Sequence, residues 1–363
     1  KKVSIGLIRM ANINPCVSMG KFLLEADCPD DVGIRIMVYH SRQILLLRHE
    51  QEKYLDSVLK RSKIWQKEEV FEDEVLRHHI DTSSCENIIF IVVATPVEEV
   101  GRDHDFDWAV IEPSSYRSII QLAGRVLRHR KMSQDISQAN IAVMQYNLLG
   151  VLGKSIAFTR PGFEGPEKLR LFSHDMEKLV DCQELAHCIN SIPRISRPEV
   201  LSEPFNLIGL EHYIMQRFRD EDLIGPSTRH GWENENWWLT GIPQTLNRFR
   251  RQQESVELYF LYIEGVIDIV EKMKRTGKYE KCQMRYNIHM EDELNNSRLW
   301  LTRNYKYALY HCLDKDLQYD MDNDMDMELQ RISLQYGMLN FIIYDNDYSR
   351  YFYSDQWGLY KLD

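Results

Sequence analysis

The residues with the clearest chemistry are Gln121, Arg125 and Arg128, in the run Gln121-Leu-Ala-Gly124-Arg125-Val-Leu-Arg128-His129. On a helix turning about 100° per residue they fall within a stripe of roughly 60°, while Ile119, Ala123 and Val126 cluster on the opposite side. A carboxamide and two guanidiniums on one face suit a phosphate chain, because a guanidinium is planar, permanently charged and matched to oxyanions. Gly124 removes a side chain from the turn between the arginines, so a ligand carried by another domain could approach closely. The competing reading is a plain solvated basic face, which usually interleaves acids at i+4; none occurs between Ser114 and Met132. A second candidate stretch is Thr95–Asp103. There Gly101 lets the backbone come near a bound nucleotide, and Asp103 is placed either to accept a hydrogen bond from a ribose hydroxyl or simply to make a turn.

Positioning these groups takes a parallel sheet. Ile88–Ala94 and Trp108–Ile111 are apolar runs too short for helices, each stopped by a proline (Pro96, Pro113), as fully buried parallel strands read. Val3–Arg9, Ile34–His40 and Ile141–Tyr146 read as further strands, with helical stretches near Val17–Ala26, Leu45–Lys60 and Tyr116–Arg128 between them. Alternation of this kind predicts right-handed crossovers and ligands at the carboxyl ends of the strands. Pro113-Ser114-Ser115 supplies an N-cap for a helix expected to run to about Arg130.

At these residues the chain resembles superfamily 2 helicases. Gln121 to His129 is similar to their motif VI, and Val93-Ala94-Thr95 through Gly101-Arg102-Asp103 to their motif V. The wider wording ATPVEEVGRDHDFDWAVIEPSS and GRVLRHR, with SIGLIRMANINP near the start and WWLTGIPQTLNRFRR later, resembles the type I-F CRISPR-associated helicase-nuclease along most of the chain. The resemblance implies an α/β fold: a second RecA-like domain over residues 1–147, a helical and irregular linker over 148–244, and a small α+β accessory domain over 245–363. It implies that Arg125 and Arg128 act as arginine fingers beside Gln121, with Gly101, Asp103 and Gly124 against ATP. Arg9, Ser41, Arg42 and Thr95, at strand carboxyl ends, would line a track for single-stranded DNA. ATP and Mg²⁺ would be shared with a first RecA-like domain, and nuclease metal ions would belong to an HD domain. Both domains, with a fused Cas-family domain, are expected to precede Lys1. The implied partners are those missing domains, the RNA-guided type I-F surveillance complex and phage anti-CRISPR proteins.

Bulk properties agree with a cytoplasmic globular chain. Of 363 residues 44% are apolar, and no apolar run approaches the length of a membrane span. Seven cysteines without a C-x-x-C pair fit reduced thiols better than a disulfide frame or a zinc site. A net charge of −10 argues against coating nucleic acid by bulk attraction. The nearest thing to a phosphate loop, Gly150-Val-Leu-Gly153-Lys154-Ser155, has its glycines too close together and lies after the last strand. This chain alone is therefore expected to hydrolyse no ATP. The dipeptides His104-Asp105 and His174-Asp175 are too sparse for a nuclease metal cluster, and no metal site is expected.

The linker ends in Trp232, Trp237 and Trp238, which suit either base stacking or burial. In the last segment Val256, Leu258, Phe260 and Tyr262 alternate as a strand, and Phe341–Tyr344 with Tyr351–Tyr353 read as a hairpin. Arg248-Phe-Arg250-Arg251 suits a phosphate contact or a plain strand start, and Asp320–Glu328 reads as an acidic loop. Two other functions compete: a different superfamily 2 helicase acting on RNA or DNA, and a non-catalytic protein-docking module.

Overall fold

The computed structural model describes the chain apart from residues 62–68, 100, 131–137, 160–161, 166–168, 201, 220–223, 227, 234, 247–254, 274, 317–324, 343–348 and 362–363. The Arg248–Arg251 cluster, most of the acidic stretch and the tip of the expected hairpin lie outside the described residues.

The first strands form a five-stranded sheet in the order β2-β3-β1-β4-β5, from β1 (Lys2–Arg9), β2 (Val32–Tyr39), β3 (Asn87–Ala94), β4 (Trp108–Ile111) and β5 (Ile141–Val143). The pairs β1/β3, β2/β3 and β1/β4 are parallel, with Arg9 level with Ala94 and Ile111. Ile5, Leu7, Ile88, Phe90 and Val92 on one face and Ile91 and Val93 on the other are buried, as a sheet covered on both faces requires. Gly6 is needed where β1 passes under Trp108, since a Cβ there would lie 2.1 Å from the indole ring. The flanking helices are α1 (Ile13–Glu25), α2 (Leu45–Leu59), α3 (Glu74–Thr82) and α4 (Tyr116–Ala123). The fold is thus the expected RecA-like α/β arrangement. Helix α3 was not among the expected elements, although Asp73 followed by Glu74, Leu76 and Ile80 is a legible start: the Asp73 carboxylate caps the amides of Val75 and Leu76.

By internal contacts, Lys1–Glu112, Gln121–Ala142 and Ser255–Asp363 form one compact unit, and Pro113–Ile120 with Val143–Glu254 form another. In the first unit the C-terminal segment is built into the parallel sheet. Ile36 donates to Arg298 O (2.7 Å) and Trp300 donates to Ile36 O (2.9 Å), so residues 298–300 cover the exposed edge of β2. Leu299, Trp357 and Tyr360 complete the core over α1 and β2 with Val17, Ile36 and Val38, and Arg298 Nη1 caps the last carbonyls of α1. A second core joins Ile44, Leu46 and Leu47 to Leu258, Phe260 and Tyr353.

This segment carries two small sheets, β10-β6-β7-β8 and β12-β11-β9, from β6 (Ser255–Ile263), β7 (Val266–Lys272), β8 (Tyr279–Lys281), β9 (Ile288–Met290), β10 (Met338–Ile342), β11 (Tyr351–Ser354) and β12 (Gly358–Lys361). The hairpin expectation fails. β10 pairs with β6, while β11 pairs with β12 and β9. Burial decides the pairing: β10 sets buried Leu339 opposite Leu258, and a tight turn at Gly358 (φ +66°) returns β12 to β11.

The second unit holds short helical segments and one longer helix, Leu207–Arg219. The buried Glu164 carboxylate ties its irregular backbone by accepting from the amides of Ala157, Phe158 and Leu171. Among the described residues no helix is long and apolar enough to cross a membrane, and all seven cysteines are free.

Candidate nucleotide site at the carboxyl end of the sheet

Helix α4 begins as the sequence indicates. Ser115 Oγ accepts from the amide of Ser118, and Ser118 Oγ accepts from the amide of Ser115, a reciprocal cap. A contribution not legible locally is Glu211, whose buried carboxylate accepts from the amides of Tyr116 (2.7 Å) and Arg117 (3.2 Å) while pairing with Arg194.

The other end corrects the sequence reading. The helix stops at Ala123, not near Arg130, so Gln121, Arg125 and Arg128 do not share a helical stripe. After Gly124 the backbone bonds instead to the strand-like residue Phe106: Phe106 N donates to Arg125 O (2.8 Å) and Leu127 N to Phe106 O (2.9 Å). Leu127 takes a left-handed conformation (φ 49°), and the Asp105 carboxylate accepts from the amides of Arg128 and His129. Motif VI is therefore half helix and half turn, latched onto the loop of motif V.

That latch gives its arginines different surroundings. Arg125 is only 8% exposed, yet its one described side-chain hydrogen bond runs from Nη2 to Glu99 O (2.9 Å), and its buried Nε has no partner. Among the described residues it makes no ion pair. Burial first, then the charge of Arg128, holds its guanidinium below the ordinary arginine range. Arg128 is exposed and pairs through Nε with Asp103 Oδ1 (2.8 Å), to which His129 Nε2 also comes within 3.0 Å. What burial would raise at Asp103 is outweighed by the His129 hydrogen bond and the charges of His129, Arg128 and Arg125, which lower it. Gly101 is exposed at φ +74° with open space around it, Gly124 is exposed in the turn, and Gln121 is half-buried with no described hydrogen bond.

The DNA-track residues separate. Arg9 does not face solvent: it is fully buried, its Nε and Nη2 donate to Glu99 Oε1 (2.9 and 2.7 Å), and its Nη1 donates to Glu112 O (2.6 Å). The geometry removes it from any solvent-facing track, for a reason invisible locally, since Glu99 lies 90 residues away. Thr95 is also buried, its amide donating to Tyr39 O. Ser41 is exposed and Arg42 half-buried after β2, with the Arg42 carbonyl accepting from Leu359 N.

The surrounding carboxylates form the frame. His104 lies between Glu98 (2.6 Å) and Asp56 (3.1 Å), Arg102 pairs with Glu52 (2.6 Å), and Arg130 bridges Asp105 (2.7 Å) and Asp107 (2.5 Å), with Arg61 also on Asp107 (2.9 Å). The acids of Asp103-His-Asp105-Phe-Asp107 are spent on arginines and amides. His174 contacts Glu164 instead. Among the described residues no group of three or more His, Cys, Asp or Glu is arranged to hold a metal. Gly150–Ser155 spans a short helix end and the exposed turn at Gly153. Trp237 and Trp238 are exposed.

Residues 2–131 match the family model of the CRISPR-associated nuclease/helicase Cas3, C-terminal. The chain is 38% identical over 274 residues to the Cas3 nuclease/helicase of subtype I-F/YPEST from Pectobacterium atrosepticum, covering 72% of this chain and 24% of that protein. It is 40% identical over 347 residues to the corresponding Pseudomonas aeruginosa protein, covering 93% of this chain and 30% of the relative. The chain thus spans less than a third of these relatives' length. A crystal structure of T. fusca Cas3 with ATP aligns over 40% of this chain and 15% of that one, at 15% identity and a TM-score of 0.29. With the C-terminal Cas3 family model matched at residues 2–131 and both curated relatives of one subtype, the chain corresponds to a C-terminal part of the type I-F Cas3 nuclease/helicases.

Proposed function

We propose that this chain is the second RecA-like half of an ATP-driven single-stranded DNA translocase and nuclease that acts in type I-F CRISPR interference, recruited by an RNA-guided surveillance complex. The observation that carries the reading is Arg125: a buried guanidinium with an orphaned Nε and, among the described residues, no direct ion pair, although Glu98, Asp103 and Glu99 lie near enough for their charges to act on it, at the carboxyl end of a parallel sheet. Burying a cation with an unmet donor and no direct ion pair is costly, and an incoming polyanion relieves that cost. The donor set fits a triphosphate presented by a first RecA-like domain, with Arg125 and the exposed Arg128 directed at its terminal oxygens.

ATP, with Mg²⁺ held by the other domain, supplies the free energy of translocation. This chain's residues orient and neutralise. Arg128 exchanges Asp103 for phosphate oxygens, and Asp103 is then free to accept from a ribose hydroxyl. Gln121, at the helix end, positions the attacking side, and Gly101 and Gly124 keep both turns open to the nucleotide. Both arginines reach the nucleotide only on closure of the two domains, which ties hydrolysis to stepping.

In the full-length protein, Arg125→Ala or Arg128→Ala should leave ATP binding largely intact and lower DNA-stimulated hydrolysis by about 10³-fold or more. Hydrolysis at the normal rate in both variants would overturn the assignment. With Arg9 buried, the strand track reduces to Ser41, Arg42 and backbone near Thr95. Arg42→Ala should weaken single-strand binding without sequence preference and flatten its salt dependence by roughly one phosphate contact. An unchanged slope would mean that the strand runs elsewhere.

A further inference from the structure

At the opposite end of the sheet, where β2 and β3 begin, lies a cavity of about 470 Å³ that none of the roles above uses. Its walls hold Arg35, Arg298, His78 and His79, with the hydroxyls of Ser84 and Ser297, and no acidic residue lines it. Neither Arg35 nor Arg298 makes an ion pair among the described residues. Arg35 is held in place from behind: its Nε donates to His79 Nδ1 (3.0 Å), and His79 Nε2 lies 2.9 Å from Trp300 O, which fixes the imidazole as donor there and acceptor toward Arg35. Its Nη1 donates to Ile34 O (2.8 Å). Arg298 spends Nη1 on the carbonyls ending α1. Each guanidinium thus keeps a second nitrogen for a ligand. Burial lowers Arg35, the neighbouring Cys85 sulfur works against that, and the charge of Arg298 lowers it further, so two like charges are kept close without a direct ion pair.

We propose that this cavity binds a small phosphomonoester, gripped by Arg35 and Arg298 with the hydroxyls of Ser84 and Ser297. Two forked guanidiniums and neutral hydroxyl donors are the groups that satisfy a phosphate dianion. The volume falls in the range of about 300–1,000 Å³ typical of small-molecule sites. The chain neighbours of the lining residues argue for a compact ligand over a polynucleotide. Asp31, Asp81 and Glu86, each next to a lining residue, are exposed, and they repel a strand carrying a charge on every nucleotide while leaving one phosphate room inside.

The test is titration calorimetry on the full-length protein with inorganic phosphate, adenosine 5′-monophosphate and a short single-stranded oligonucleotide. Adenosine monophosphate and phosphate should both bind, and Arg35→Ala should weaken them about tenfold or more, the loss expected for a charge-assisted contact. Ser84→Asp, at an exposed wall position that disturbs no described contact, should abolish binding by repulsion without lowering the melting temperature. Arg35→Ala should leave ATP binding and DNA-stimulated hydrolysis unchanged, which separates the cavity from the nucleotide site and keeps the two proposals independently testable. Binding that survives both Arg35→Ala and Ser84→Asp, ATP binding or hydrolysis lost in Arg35→Ala, or binding of the oligonucleotide alone would each overturn the proposal.

Discussion

Two buried arginines share Glu99, and the difference between their settings separates scaffold from site. Arg9, at the end of β1, has the Glu99 carboxylate on two of its nitrogens and the Glu112 carbonyl on the third. Arg125, in the turn after α4, has only the Glu99 carbonyl. One guanidinium is fully compensated and closes the sheet's carboxyl end. The other is nearly as buried but left short of charge and of a hydrogen bond. A fold tolerates the second kind when something else supplies the counter-ion. Arg130, held on Asp105 and Asp107, belongs with Arg9, while Arg61 stands between the two kinds: it pairs with Asp107 but leaves its Nε and Nη2 without partners. Arg35 belongs with Arg125.

The comparison breaks first at Arg9. Arg9→Ala strands a buried carboxylate and a buried carbonyl, and such a change costs about 3–5 kcal/mol. Urea unfolding should show that loss directly. A change under about 1 kcal/mol, the value of an exposed pair, would put Arg9 back in the class of ligand-binding arginines.

How much of this was legible follows the range of the interactions. Strands β1 to β4 were readable to within a residue or two because each is an apolar run closed by local signals, as at Trp108–Ile111 before Pro113. The start of α4 was equally readable from Ser115. Its end was not, because the hydrogen bonds that stop it come from Phe106 and Asp105, about twenty residues away. The same blindness put Arg9 in a solvent track, since nothing near it announces Glu99. In the C-terminal segment the alternating β6 was visible, but β10 and β11 looked like partners only because they are neighbours in sequence. Their pairing was settled by burial against β6 and β9.

The reverse expectation holds for Arg125. Its removal deletes a buried cation that has no direct ion pair and one bond to a carbonyl, so Arg125→Ala should change unfolding free energy by no more than about 1 kcal/mol while hydrolysis collapses. A stability loss approaching that of Arg9→Ala would erase the distinction between the two.

The smallest effect is the most specific, and it concerns the pair of Arg128 with Asp103, the one a phosphate would have to displace under the proposed function. Asp103 is about half exposed, and His129 with Arg128 holds its carboxyl below the usual aspartate range. A depressed folded-state value means that its stabilisation is complete above the unfolded value near 3.9, and is lost as pH falls through the folded value. The wild type and Asp103→Asn should therefore differ modestly in melting temperature at pH 6 and converge as pH falls through the folded value, where the wild-type carboxylate takes up its proton. Raised salt should shrink the pH 6 difference, because the pair is open to solvent. Two melting curves that stay parallel across that fall in pH would mean that Asp103 holds neither Arg128 nor His129 electrostatically. Arg128 would then be free without exchange, and the contrast between compensated and uncompensated arginines would extend to the surface of motif VI.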